Sequence, residues 1–301
     1  MRLDAFVRRV LPHLSRREVG KAIDEKLFLL NGRRGRSGDR LTGGGTVTFV
    51  GPEEWLSEGP MPNSQLQVPI VYEDSHLLIV DKPAGLDTQA FSGRDTHTLA
   101  NFLAARRSEI LKIGKSPWEP GMVHRLDRET SGLVLIAKTQ SAFESLRRQF
   151  RRRTIKKTYW ALVWGITEEE RTITYPLVHN SRDKQRMRVH VESTTATKPR
   201  CWKARTRFRK LSATKKLSLI EIDMETGVTH QIRVHLAAIG HPIVGDTLYG
   251  TDHPETFGLR RHFLHAAALE FQHPAAARRI NVKAALPDEL QVVLKLLKIR
   301  Y

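Results

Sequence analysis

The chain has 301 residues, 40% of them hydrophobic, enough for one large core with a small accessory unit. Fifty Lys and Arg stand against 32 Asp and Glu, a formal net charge of +18 that points to a phosphate-bearing partner. A single cysteine, Cys201, excludes an internal disulfide and a cysteine-held zinc site. No stretch approaches the roughly 20 apolar residues that cross a bilayer, so a cytoplasmic protein with no membrane partner is expected.

The chain opens on MRLDAFVRRVLPHL, with charges throughout and no apolar core of signal-peptide length. Ser15-Arg16-Arg17-Glu18 has the pattern of a capping box and predicts a helix start. Val19, Ala22, Ile23 and Leu27 follow at helical spacing. Asn31-Gly32 predicts a tight turn, and residues 46–50 a short strand. Gly43-Gly44-Gly45 has no Lys-Ser/Thr after it and is read as a turn, not a phosphate loop. Residues 1–50 hold eleven Lys/Arg and five Asp/Glu, with Arg16, Arg17 and Lys21 clustered at the start of the helix. This pattern resembles the small RNA-binding domain first described in ribosomal protein S four. The resemblance implies an α/β RNA-binding module over 1–50, with Arg16, Arg17 and Lys21 at the RNA. The residues alone also allow a purely structural helix–hairpin cap.

Residues 51–66, GPEEWLSEGPMPNSQL, show no periodicity and read as a linker. Strands are predicted over 68–72 and 77–80, an amphipathic helix over 99–111 and a strand over 132–138. Ser141 and Glu144 form a second capping-box pattern, opening a helix with Ala142, Leu146 and Phe150 on its apolar face. From Arg147 to Lys157 seven of eleven residues are basic, and from Ser193 to Ile220 there is no acidic residue. Further strands are expected over 158–164, 172–178, 205–211 and 217–224. A helix over 229–239 is stopped by Gly240 and Pro242, and a last helix covers 290–299. Strands dominate without regular helix alternation. This predicts an α+β domain over 67–301, with a mixed, largely antiparallel sheet and flanking helices.

The chemistry centres on HRLDRETSG, residues 124–132, where Asp127 lies between Arg125 and Arg128. Neighbouring cations favour a charged carboxylate. Glycosidases need two carboxylates, and here the nearest other acid is Glu129. One acid suits a nucleophile or base acting at a sugar carbon, or else an Asp capping a surface turn. In THQIRVHLAAIGHPIVGDTLYG, residues 229–250, Ile232, Leu236 and Ile239 form a buried stripe. His230 and Arg233 share another face, from which Arg233 can pair with Asp127 or stand solvated. His230 and His235 are five apart, the wrong spacing for two ligands on one helix face, so no metal site is expected. Tyr159 follows a basic helix end and can stack on an extruded base, or fill the core.

Five strings stand in order: DKPAGL (81–86), HRLDRETSGLVLIAKT (124–139), KKTYWALVWG (156–165), THQIRVHLAAIGHPIVGDTLYG (229–250) and RHFLHAAALEF (261–271). Together they resemble the RluA class of RNA pseudouridine synthases, over about residues 67–301. The HRLD form favours this class over a related one with Gly before RLD. The resemblance implies isomerisation of a flipped-out uridine to pseudouridine, with no metal or organic cofactor. It implies Asp127 as the essential aspartate, acting at the ribose anomeric carbon or on the 2′ proton. It assigns Arg125 to the gap left by the base, Tyr159 to stacking on it, and Arg233 to pairing with the aspartate. Arg151, Arg152 and Lys157 of the basic run are expected at the RNA. Two departures bear on target choice: Val228 replaces a usual Arg, and residues 87–91 lack a usual His-Pro. The separate RNA-binding module favours ribosomal RNA. A synthase acting on transfer RNA, a non-catalytic ribosome-assembly factor and a ribose-cleaving hydrolase are the alternatives. Oligomeric state is not legible, and a monomer is plausible.

Overall fold

A computed structural model describes residues 1–183, 185–190 and 200–300. Residues 193–199 of the acid-free run lie outside the described residues. The chain begins with α1 (Leu3–Val10) and α2 (Arg16–Asp24), then β1 (Phe28–Leu30), β2 (Arg33–Arg34) and β3 (Val47–Phe49). These three strands form a small antiparallel sheet in the order β2-β1-β3. The capping box on α2 is complete, with the Ser15 Oγ accepting from Glu18 N and Glu18 accepting from Ser15 N. Asn31 and Gly32 both take positive φ at the β1–β2 turn. α1 was not anticipated. Only Leu3 and Val7 of its eight residues are buried, so its charged faces hide the periodicity.

The stretch 51–66 has no regular repeat but is not a free tether. A 3₁₀ turn at Glu53–Trp55 sets Trp55 into the core of the small sheet, while Leu66 enters the core of the large one. The second part of the chain runs β4 (Ile70–Glu73), β5 (Leu77–Lys82), α3 (Leu99–Arg106), β6 (Ser131–Ala137), α4 (Gln140–Arg152), β7 (Lys156–Trp164) and β8 (Glu170–Ile173). It continues with β9 (Leu177–His179), β10 (Met187–Val189), β11 (Thr206–Ala213), β12 (Leu217–Met224) and α5 (Gln231–Ala238). It closes with β13 (Leu264–Gln272), β14 (Arg279–Lys283) and α6 (Asp288–Leu296). Among the described residues, nine strands form one sheet in the order β4-β5-β6-β13-β7-β12-β11-β8, with β14 beside β13. Every pairing is antiparallel except β6 with β13. The α+β expectation, with a mixed and largely antiparallel sheet, describes this architecture.

Both faces of the sheet are covered. On β5, Leu78 and Val80 enter one core while Leu77 and Ile79 enter the other. On β6, Val134 and Ile136 enter the core shared with α3, α5 and α6, while Leu133 and Leu135 enter the one shared with α4. A strand buried on both sides reads as an unbroken apolar run, which is why LLIV and LVLIA lack alternation.

Several elements differ from expectation. The helix at 99–111 ends at Arg106, gives way to a 3₁₀ turn, and is buried from Leu99 to Leu103 on all sides rather than amphipathic. It is started by Thr98 and Asn101, a capping box that uses Asn in place of Glu or Gln. The N-cap of α4 is Thr139, not Ser141. The strand expected at 172–178 divides into β8 and β9 around Pro176. α5 begins at Gln231, because His230 takes φ +55 as its N-cap. The last of the five strings contributes β13, a central strand of the sheet between β6 and β7.

Candidate active site

Asp127 lies on the loop entering β6, at the junction where β6, β13 and β7 meet. Gly132 makes this junction possible: it has φ +116, and a Cβ there would run into the backbone of Ala266. The loop is fastened from several sides. Thr88 Oγ1 donates to Leu126 O at 2.7 Å and accepts from Leu126 N at 3.2 Å. The fully buried Lys82 donates to the carbonyls of Pro83 (2.9 Å), Leu86 (2.7 Å) and Arg128 (3.0 Å). Burial pushes its ammonium down to about 7, against the pull of Asp87, Glu129 and Asp127. Arg261 donates to Glu129 O and Ser131 Oγ, both at 3.1 Å, and to Glu289 of α6 at 2.7 Å. Thr130 Oγ1 lies 2.8 Å from His262 Nε2.

Facing this loop, α5 presents Arg233. Its Nε and Nη2 donate to Asp246 at 2.7 and 2.8 Å, a two-pronged pair buried from water. The remaining nitrogen, Nη1, lies 3.5 Å from Asp127 Oδ2. Burial alone would raise the Asp246 carboxyl, but the Arg233 hydrogen bonds and charge outweigh it and hold the group below its ordinary value. Asp246 Oδ1 also accepts from the backbone of Leu248 (2.9 Å) and Tyr249 (3.1 Å), which closes the turn after Gly245.

His230 adds a fourth group. Its Nε2 stands 3.9 Å from Asp127, and its Nδ1 lies 2.8 Å from the Tyr249 hydroxyl, which accepts the Met187 N–H at 2.8 Å. Burial lowers its pKa, with the Asp127 charge opposing. Tyr159 comes from β7, paired with Ala266 on β13 and Ile222 on β12. Burial, reinforced by the Asp127 charge, raises its phenol far above the ordinary value. It is a neutral ring and no standing phenolate.

Arg125, Asp127, Tyr159 and Arg233, the four residues singled out from sequence, all line one cleft of about 540 Å³, together with His230 and Val228. Asp127 keeps 22% of its side chain exposed there, while Arg233 keeps 6%. Arg125 is exposed and donates to Gln89 at 3.0 Å. Val228 packs into a small apolar cluster with Leu177, Met187 and Val234, so this departure is filled by an apolar contact. The cleft opens onto a wider groove of about 1140 Å³ bordered by Arg147, Arg151, Arg153, Lys157 and Lys203. Arg151 of the basic run lines it, whereas Arg152 is exposed and does not. Lys157 is 6% exposed, its Nζ on Thr226 O at 3.2 Å, and burial lowers it to about 8. Arg16, Arg17 and Lys21 are exposed on α2, with Lys21 3.5 Å from Glu25.

Sequence reasoning gave no role to Asp246, Lys82 or Arg261. The signal for Asp246 was the Gly-Asp turn inside a string already quoted; that it serves Arg233 is a tertiary fact.

Residues 76–238 match the RNA pseudouridylate synthase family model, and residues 1–47 match the S4 domain. An uncharacterized RNA pseudouridine synthase of Chloroflexus aurantiacus is 39% identical over 299 residues, covering 99% of this chain and 90% of that protein. A ribosomal large subunit pseudouridine synthase D of Nitrosomonas europaea is 33% identical, covering 99% and 85%. Among solved structures, human RNA Pseudouridylate Synthase Domain Containing 1 matches with a TM-score of 0.60 and 29% identity, over 77% of this chain and 89% of that one. A family match over more than half the chain, with relatives aligned along nearly all of it, settles the assignment: this chain belongs to the RNA pseudouridylate synthase family.

Proposed function

We propose that this protein isomerises a uridine to pseudouridine in structured RNA of the large ribosomal subunit, in the cytoplasm, with Asp127 as its catalytic residue. The observation that carries this is the carboxylate itself: part-exposed in the cleft, 3.5 Å from Arg233, with Tyr159 lining the same cleft. The names of the Nitrosomonas europaea and Xanthomonas campestris relatives, both ribosomal large subunit pseudouridine synthase D, support the choice of RNA. Residues 1–50 serve as an RNA-binding module, 51–66 join it, and 67–301 carry out the reaction.

In this reading the uridine leaves its stack and enters the cleft. Unstacking costs a few kcal/mol, offset by contacts to base and phosphates. Arg125, exposed at the rim, fills the space the base has left. Tyr159 stacks on the base as a neutral ring. Asp127 attacks the anomeric carbon or takes the 2′ proton; either way the bond from that carbon to N1 breaks. The uracil turns and C5 bonds to the anomeric carbon, as the ester bond to Asp127 breaks in the first route or as C2′ regains its proton in the second; the C5 proton then leaves, and N1 takes up a proton. Arg233 holds the carboxylate in place and balances its charge. Arg16, Arg17 and Lys21 on α2, and Arg151 and Arg152 near the groove, meet phosphates, while Lys157, buried with its Nζ on Thr226 O, braces the groove wall.

The test is to incubate the purified protein with unmodified ribosomal RNA and transfer RNA transcripts and map pseudouridine chemically. Asp127→Ala is expected to lower the rate by roughly 10⁴-fold, the scale of losing a nucleophile or base, with RNA binding retained. A variant working at the wild-type rate would remove Asp127 from the chemistry. Modification of transfer RNA alone would overturn the target, and release of free uracil would mean hydrolysis instead.

A further inference from the structure

The segment after DKPAGL departs from the usual His-Pro, and it touches two distant parts of the molecule. At one end, Gln89 Oε1 accepts from Arg125 Nη1 at 3.0 Å, and Thr88 holds the backbone of Leu126 from both sides. At the other end, Arg94 Nη2 donates to Glu18 Oε1 at 3.0 Å, and its guanidinium lies 3.7 Å from the centre of the Trp55 ring. Glu18 is the same residue that closes the capping box of α2, its other oxygen accepting from Ser15 N at 2.9 Å. One carboxylate therefore joins the helix turn that bears Arg16 and Arg17 to the segment that holds Arg125.

The segment is built to hold this shape. Asp95 Oδ2 accepts from the N–H groups of Phe91 (2.7 Å) and Ser92 (2.9 Å), and Ala90 N donates to Trp118 O at 3.1 Å. Gly93 sits against the 3₁₀ turn of the joining stretch, where any Cβ would meet the Glu54 carbonyl. His13 closes the far side, with Nε2 3.3 Å from Trp55 O.

We infer that residues 87–95 form a strap that fixes the N-terminal module relative to the cleft, so that one structured RNA must satisfy α2 and Arg125 at a set separation, and that Arg94 is the positioning residue of this joint. This rests on the cleft being the place where RNA is modified. A fixed second site raises the affinity for an RNA long enough to reach both, and contributes nothing for one that reaches only the cleft. Target choice then depends on the joint as well as on the cleft.

The experiment compares two RNAs: a ribosomal RNA transcript containing the mapped uridine, and a short stem-loop cut from it around that uridine. Arg94→Ala is expected to raise KM about tenfold on the long transcript, with kcat unchanged, and to leave both constants unchanged on the stem-loop. Arg94→Lys, which keeps the charge, is expected to recover part of the loss. Glu18→Gln keeps the capping box, since Gln serves there as well as Glu, but loses the ion pair. It should raise KM in the same direction, and the double variant should be no worse than Arg94→Ala alone. Equal effects on both RNAs, no effect on either, or full additivity overturns the strap. Binding of the same two RNAs is measured alongside turnover. If the wild type shows no isomerisation, the proposed function fails; the stem-loop is then cut around the protein's footprint on the transcript, and the binding ratio still decides for or against the strap.

Discussion

The two parts of this chain treat charge in opposite ways. The small N-terminal sheet packs Leu3, Val7, Val19, Ala22, Ile23, Phe28 and Trp55, and no polar or charged side chain described there is buried. The nine-stranded sheet buries Lys82, Lys157, Arg233, Asp246, Arg261, His262 and His265. Burying charge is costly unless each group is paired. Under the proposed function the cost falls around the Asp127 loop, where positions must be held to fractions of an ångström. On the same proposal the module needs only cations presented to phosphate, and water can keep those solvated. Buried polar groups would then mark the chemistry, and exposed ones the recognition.

Acid should separate the two parts most sharply. Burial, with Lys157 adding to it, pushes His124 down to about 3; burial, with Arg233 adding to it, pushes His262 to about 3; burial pushes His265 to about 4. Between those values and the ordinary 6.5, the unfolded chain binds more protons than the folded one. Stability therefore rises with pH through this window and is lost as pH falls from 6.5 toward 4. Each histidine contributes a slope of up to about 1.4 kcal/mol per pH unit. The large sheet is expected to unfold on acidification while the module, in which no described histidine is fully buried, holds its helices. Circular dichroism and tryptophan fluorescence followed from pH 7 to pH 4 test this. A single transition with no pH dependence above 4 would dissolve the contrast.

Removing one buried partner should do less, but in the same place. Asp246→Ala leaves the Arg233 guanidinium buried without its carboxylate, which costs roughly 3–5 kcal/mol. It also frees Arg233 to shift against Asp127, and a misplacement of that kind lowers kcat by roughly 10²-fold. Asp246→Asn keeps some hydrogen bonding and is expected to lose less of both. Denaturant unfolding and single-turnover rates, measured on the two variants, check the pair. If Asp246→Ala matched the wild type in both, Arg233 would be held by something other than this clamp.

The contrast explains what could be read from sequence. Asp127, Arg233 and Tyr159 were legible because each lies in a local string whose composition is unusual. The central apolar strands were legible because burial on both faces leaves an unbroken run. Lys82 and Asp246 sat in strings already quoted, yet their partners are Arg128, 46 residues from Lys82, and Arg233, 13 residues from Asp246. No periodicity reports such contacts. The helix α1 escaped for the reverse reason: two buried residues give too little stripe to see. The strap at 87–95 was visible only as a departure from a family pattern, because its partners Glu18 and Trp55 precede it by 76 and 39 residues.

The smallest effects belong to the exposed cations of the module, and they sharpen the comparison from the other side. Arg16 and Arg17 stand in water on α2 with no ion pair among the described residues. If each meets one phosphate, each replacement by Ala lowers the slope of log affinity against log salt by about 1. At physiological salt this is roughly a few-fold loss in binding, spread evenly over RNA sequences. Folding stability and kcat should not move, because nothing buried depends on these side chains. Titrations of labelled ribosomal RNA at several salt concentrations measure the slope directly. An unchanged slope would mean that α2 faces away from the RNA. A fall in kcat would mean that the module takes part in the chemistry proposed for the large sheet.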